Sequence, residues 1–170
     1  MRDPFQFIEW RWTQGMPYKT AMELVDPKCL PRLREALEDP ARASKWSRIA
    51  VLIGYLGDDA ESARAILAYV RRAEDWRSLK QNQMFSRLIT KVQCLQWAGK
   101  MGDKGVAAVL RQALTPEGAA ALIKDWSAGP LPEWAKQGDN LISTVRTSAA
   151  MGLVLGQDPE GIRLVEGLYA

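Results

Sequence analysis

The chain has 170 residues and a mass of 19.0 kDa, the size of one compact domain or one short repeat array, and can bury about 70% of its unfolded surface without a metal or disulfide. With 47% hydrophobic and 25% charged residues it is not a disordered chain, and a formal charge of +3 is too mild to mark a nucleic-acid protein by itself. It contains no histidine and two cysteines, which excludes histidine-dependent triads, histidine metal ligands and an all-cysteine zinc site.

Apolar residues recur at three- and four-residue spacings from Cys29 onward, with no long alternating run, so the predicted elements are helices. In chain order they cover about 4–12, 17–25, 28–38, 41–56, 60–73, 82–101, 104–114, 116–126, 140–155 and 159–168. The buried stripes expected are Ile49, Ala50, Ile53 and Leu56, then Phe85, Leu88, Val92 and Leu95, then Leu141, Val145, Ala149 and Leu153. Asp26-Pro27, Thr115-Pro116 and Asp158-Pro159 each set an oxygen-bearing cap before a proline at the first helical position. Asp58, Asp59 and Asp103 are read as caps or turn residues as well. Glycines 57, 102 and 156 are expected to stop helices with positive φ. Two prolines and two glycines make 127–139 a loop.

Charge is unevenly spread. Arg42 to Arg111 holds thirteen basic and six acidic residues, and no acid lies between Asp75 and Asp103. Cys29 and Cys94 show no metal or redox spacing and are read as small buried hydrophobes. The N-terminus has no apolar signal core, and no window is apolar enough to span a membrane, so the chain is expected in the cytoplasm. A signal removed ahead of Arg2 would leave no trace in it.

Three helix ends are alike: Ile53-Gly54-Tyr55-Leu56-Gly57-Asp58, Ala98-Gly99-Lys100-Met101-Gly102-Asp103 and Leu153-Val154-Leu155-Gly156-Gln157-Asp158. Their glycines stand 45 and 54 residues apart, within and just beyond the period of two-helix repeats. An insertion at 116–139 accounts for the longer interval. On Leu33–Leu37, Asp39-Pro40, Ala50, Leu56-Gly57-Asp58, Val145-Arg146, Ala149-Ala150 and Asp158-Pro159-Glu160, the segment 28–170 resembles the HEAT-like repeats of phycobilisome lyases. The middle unit departs from that pattern at Asp75-Trp76 and Cys94-Leu95.

The resemblance implies an all-α fold: a short right-handed α-solenoid of antiparallel helix pairs, about three repeats long. Residues 1–27, with Phe5, Phe7, Ile8, Trp10, Trp12 and Tyr18, are read as an aromatic N-terminal cap on that array. An exposed aromatic docking surface is the rival reading.

In such arrays the second helix of each pair lines the concave face. By resemblance, Arg48, Arg87, Lys91 and Arg146 then form a basic ladder along it, suited to an acidic peptide or a phosphate backbone. Solvated helix faces explain the same cations. Trp97 and Trp134 are the aromatic contact candidates, while Trp46 is expected in the core. No catalytic residue, metal or cofactor is assigned. The expected function is a non-enzymatic scaffold that binds a protein or peptide, acidic if the ladder is open. The alternative is a nucleic-acid-binding protein related to HEAT-like alkylpurine DNA glycosylases. A bilin-handling lyase subunit rests on the repeat's name alone.

Overall fold

The computed structural model describes residues 3–10, 16–127 and 139–169. The protein is all-helical. Its helices are α1 (Pro4–Glu9), α2 (Tyr18–Leu24), α3 (Leu30–Glu38), α4 (Trp46–Leu56), α5 (Ala60–Arg71), α6 (Gln81–Lys100), α7 (Lys104–Gln112), α8 (Pro116–Asp125), α9 (Asp139–Leu155) and α10 (Pro159–Tyr169). Single 3-10 turns at Pro27–Cys29, Pro40–Lys45 and Trp76–Ser78 precede α3, α4 and α6. Those turns explain two late starts: the helices expected from 28 and 41 begin at Leu30 and Trp46, because Asp26 and Asp39 each cap a proline-led 3-10 turn first. Among the described residues the one β feature is an isolated bridge between Glu74 and Ser127.

Contacts follow two rows. Helices α3, α5, α7 and α10 touch in sequence, as do α4, α6 and α9, and each helix also packs on its chain neighbour across a short connection. Helix α8 lies against α9, and α2 against α4. The three expected stripes are buried except at two leading residues: Phe85 is 56% exposed, so the stripe on α6 begins at Leu88, and Leu141 is half-buried, so that on α9 begins at Val145. Helix α6 is instead buried on a broader arc, because Lys91, Cys94 and Ala98 are enclosed as well. It is wedged between α5 on one side and α4 and α9 on the others.

A polar ladder stitches the first row. Asp59, Asp103 and Asp158 cap α5, α7 and α10, accepting from the backbone N–H of Ser62, Val106 and Gly161. Each also takes an arginine from the preceding helix of the row: Arg34 to Asp59 at 3.2 Å, Arg64 to Asp103 at 2.8 Å and Arg111 to Asp158 at 3.1 Å. Arg34 and Arg111 reach a second carboxylate, Glu61 and Glu160, each at 2.7 Å. The middle rung has no such partner, since Gly105 occupies that place. Burial pulls the Asp59 carboxyl up, but the Ser62 hydrogen bonds and Arg34 hold it below its ordinary value.

The exit glycines do not share one conformation. Gly102 has φ 72°, as expected, whereas Gly57 has φ −79°. At the third exit the left-handed residue is Gln157, φ 55°, and the backbone closes there with Asp158 N–H on Leu153 O and Gln157 N–H on Val154 O. The glycines of the second row act by closeness instead. A Cβ on Gly99 would stand 2.5 Å from the backbone carbon of Gly152, and one on Gly156 would stand 2.1 Å from Gly99 O. This Gly99–Gly152 contact, rather than the Ala149-Ala150 pair, sets the spacing of α6 and α9. Both alanines are nonetheless buried.

Candidate functional site

The basic candidates are engaged inside the molecule. Lys91 is fully buried on α6, and its ammonium donates to Tyr69 O at 3.1 Å, Val70 O at 3.0 Å and Arg72 O at 2.7 Å. These carbonyls lie at the C-terminal end of α5, where the helix dipole favours a cation; Tyr69 O also accepts the Arg72 N–H. Glu74, buried beside it, lies 3.5 Å from Lys91 Nζ and also pairs with Arg87. Burial pulls the Lys91 amine down to about 8, against the Glu74 carboxylate. The three carbonyls favour the protonated form, so it is an ammonium at neutral pH.

The other candidates repeat this chemistry. Arg146 Nε donates to Leu114 O at 2.7 Å, beyond the C-terminus of α7. Arg48 donates to Ile8 O at 2.8 Å and Trp10 O at 3.4 Å, at the end of α1. Arg72, which the sequence did not single out, donates to Leu37 O at 2.7 Å near the end of α3. Its guanidinium lies 3.9 Å from the centre of the Trp46 ring, whose own N–H donates to Asp39 O. Of the expected basic ladder, Lys91 is enclosed, Arg87 and Arg146 are half-buried on Glu74 and Leu114 O, and Arg48 is exposed while it holds the end of α1.

What the second row does carry is aromatic. Tyr18 on α2, Tyr55 on α4 and Trp97 on α6 contact edge to face, with ring centroids 5.2 Å and 5.3 Å apart. Tyr55 is fixed by its hydroxyl, which donates to Met16 O at 2.9 Å. Trp97 is fixed by α4: its indole lies over Gly54, where a Cβ would come within 2.4 Å of the ring. Tyr55 and Trp97 are half-buried and Tyr18 is 53% exposed, so the row presents edges to solvent. Met22 on α2 and Met151 on α9 are exposed on the same helices' row, and Gln96 of α6 bonds Ser148 and Met151 of α9. Trp97 is thus packed against the core on one side and against Tyr55 on the other. Trp134 and most of the loop 127–139 lie outside the described residues, as does Trp12.

Sequence reasoning missed Tyr55, Tyr18 as its neighbour, and Glu74. The aromatics stand at different offsets from their exit glycines, two residues for Tyr55 and five for Trp97, so no repeat register links them. Glu74 had one visible signal, the departure of the Asp75-Trp76 turn from the repeat pattern.

The site offers little to catalysis. Both cysteines are buried, and burial pushes both thiols above their ordinary value. Among the described residues, no group of three or more Cys, Asp or Glu is placed to hold a metal ion. No helix among them is long and apolar enough to cross a membrane. No family model matches the chain, and no curated protein or solved structure matches it.

Proposed function

We propose that the chain is a non-enzymatic binding scaffold, a short right-handed α-solenoid of about three HEAT-like helix pairs that takes a protein or peptide on the face of its second helices. The sequential contacts of the two helix rows and the repeated Arg–Asp rungs support the array reading. The observation that carries the binding reading is the row Tyr18–Tyr55–Trp97. Three aromatic rings in edge-to-face contact, one exposed and two half-buried, offer contact area at low entropic cost. Lys91 is enclosed and Arg87 is paired with Glu74, so fewer cations are left for a phosphate backbone than the ladder supposed, which favours a protein partner over nucleic acid.

Selection of a displayed peptide library against the whole chain tests this. Enriched peptides should lose binding to Tyr18→Ala, an exposed change that leaves the fold intact. Enrichment indifferent to Tyr18→Ala and Trp97→Leu would overturn the site. Salt-sensitive binding of a DNA duplex at about 50 mM salt, where counterion release makes such affinity large, would restore the nucleic-acid alternative.

A further inference from the structure

The N-terminal helix is held in an unusual way. Helix α1 has six residues, too short to persist alone in water. Its polar contacts come from four cations of the first helix pair. Arg32 lies 3.8 Å from Asp3, and Lys45 pairs with Glu9. Arg48 takes the carbonyls of Ile8 and Trp10. Phe5 sits between two guanidinium groups, Arg32 at 5.4 Å and Arg42 at 4.3 Å from the ring centre. On the opposite side Phe7 and Ile8 are buried in the core. Acids are on the helix and cations on its seat, although Glu35 and Asp39 line the same recess as Phe5, Arg32 and Arg42, and Arg42 pairs with Asp39 at 3.3 Å.

We infer that the seat between α3, the turn Pro40–Lys45 and α4 is a binding site for a short acidic, aromatic helix, with residues 3–10 as its resident occupant. The partner is a protein segment of about two turns: an acid at each end, a ring for the Arg32–Arg42 pair, and two adjacent apolar residues facing inward. Charge complementarity chooses it. A cationic or wholly apolar helix would leave Arg32 and Lys45 without a carboxylate. Displacing residues 3–10 breaks two surface ion pairs and the cation–ring contacts, where each contributes little, and the partner's two apolar residues take the buried places of Phe7 and Ile8. This site is separate from the aromatic row and does not depend on it.

The test uses the full chain and a fluorescein-labelled peptide with the sequence of residues 1–10. Reversing the resident acids, Asp3→Lys with Glu9→Lys, loosens the occupant, so the peptide should bind this variant about tenfold or more tighter than the parent chain. The same two changes made in the peptide should abolish that binding, and added salt should weaken it. No binding, or binding indifferent to the peptide's acids, would overturn the site. Because the variant can fail to fold, amide exchange in the parent chain gives a second measure. Amides of 5–10 should exchange well ahead of those of α4; exchange in step with α4 would make α1 part of the cooperative core and overturn displacement. A concentration-dependent dimer that the peptide does not dissociate would assign the seat to a second copy's segment and overturn an outside partner.

Discussion

The two junctions of the second row solve one packing problem in opposite ways. Between α4 and α6, Gly54 leaves a slot that the Trp97 indole fills. Between α6 and α9, Gly99 and Gly152 meet backbone to backbone with no side chain between them. A ring used as a spacer keeps two helices apart and leaves its own edge at the surface. Paired glycines bring helices together and leave nothing to present. The aromatic row therefore ends at the tight junction, and the binding face proposed for it is confined to α2, α4 and α6. The difference also assigns different vulnerabilities, because a ring can turn and a backbone cannot.

The largest expected effect breaks the tight junction. In Gly152→Val the new Cβ would lie 2.7 Å from Leu95 O, 3.1 Å from Leu110 Cδ1 and 3.3 Å from Gln96 Cα. Two of these are backbone atoms of α6, so the helices must separate. A loss of about 4 kcal/mol or more is expected, near the whole stability of a small domain. Urea unfolding checks it, and a midpoint within error of the parent would show that α6 and α9 are not in contact.

Next is Lys91→Met, which acts on α6, the helix both junctions share. It takes the ammonium from three carbonyls of the α5 terminus, of which Tyr69 O keeps the Arg72 N–H, and leaves Glu74 with Arg87. Removing one member of a buried pair costs about 3 kcal/mol. The parent chain should also show a proton linkage that the variant lacks. Folded Lys91 titrates near 8 and the unfolded side chain at 10.5. Between those values the unfolded state binds more protons, so the stability of the parent should rise with pH across that window. Below 8 both states hold the proton and the contribution is flat. Unfolding free energies at several pH values in that window, compared with those of Lys91→Met, read the difference directly. Equal slopes would place Lys91 in water.

Trp97→Ala follows. The ring is half-buried, so its removal from the slot should cost about 2 kcal/mol, below the figure for a fully enclosed tryptophan. It should also abolish binding of any peptide whose capture depends on Tyr18. If stability falls while binding survives, the ring is a spacer only, and the two roles given to the loose junction come apart.

Much of this architecture was legible because it rests on local chemistry. Helix starts at Thr115-Pro116 and Asp158-Pro159, and the caps Asp59 and Asp103, follow from what a cap oxygen does, and they hold. The buried stripe on α9 followed from periodicity alone. The site was less legible because a charge is not a surface. Nothing in the sequence around Lys91 shows that a helix ends against it. Its three acceptors come from residues 69 to 72, on another element. The same holds for Arg48 and Arg146: a cation on a helix face reads as solvated until the neighbouring C-terminus is known. Gly102 shows the converse. Its positive φ was foreseen from type and place, but the same reasoning failed at Gly57 and Gly156, where closeness and not conformation requires the missing side chain.

The smallest expected effect sharpens the comparison in the other row. Arg111 is 24% exposed, Asp158 19%, and Glu160 adds a second carboxylate, so this rung is sheltered and forked. Arg64 is 60% exposed and reaches Asp103 alone. An exposed single pair is screened and contributes little, so Arg64→Ala should cost about 0.5 kcal/mol or less. Arg111→Ala should cost about 1 kcal/mol, because it leaves two carboxylates at one helix start, held only by the cap hydrogen bond and dipole. Both rungs hold a first-row helix to its successor, so the pair of variants isolates shelter from topology. If the two losses are equal, the ladder acts through position alone. If the Arg111 loss is larger, shelter and the second carboxylate set the strength of a rung, and Arg34, 20% exposed and equally forked, should match Arg111 rather than Arg64.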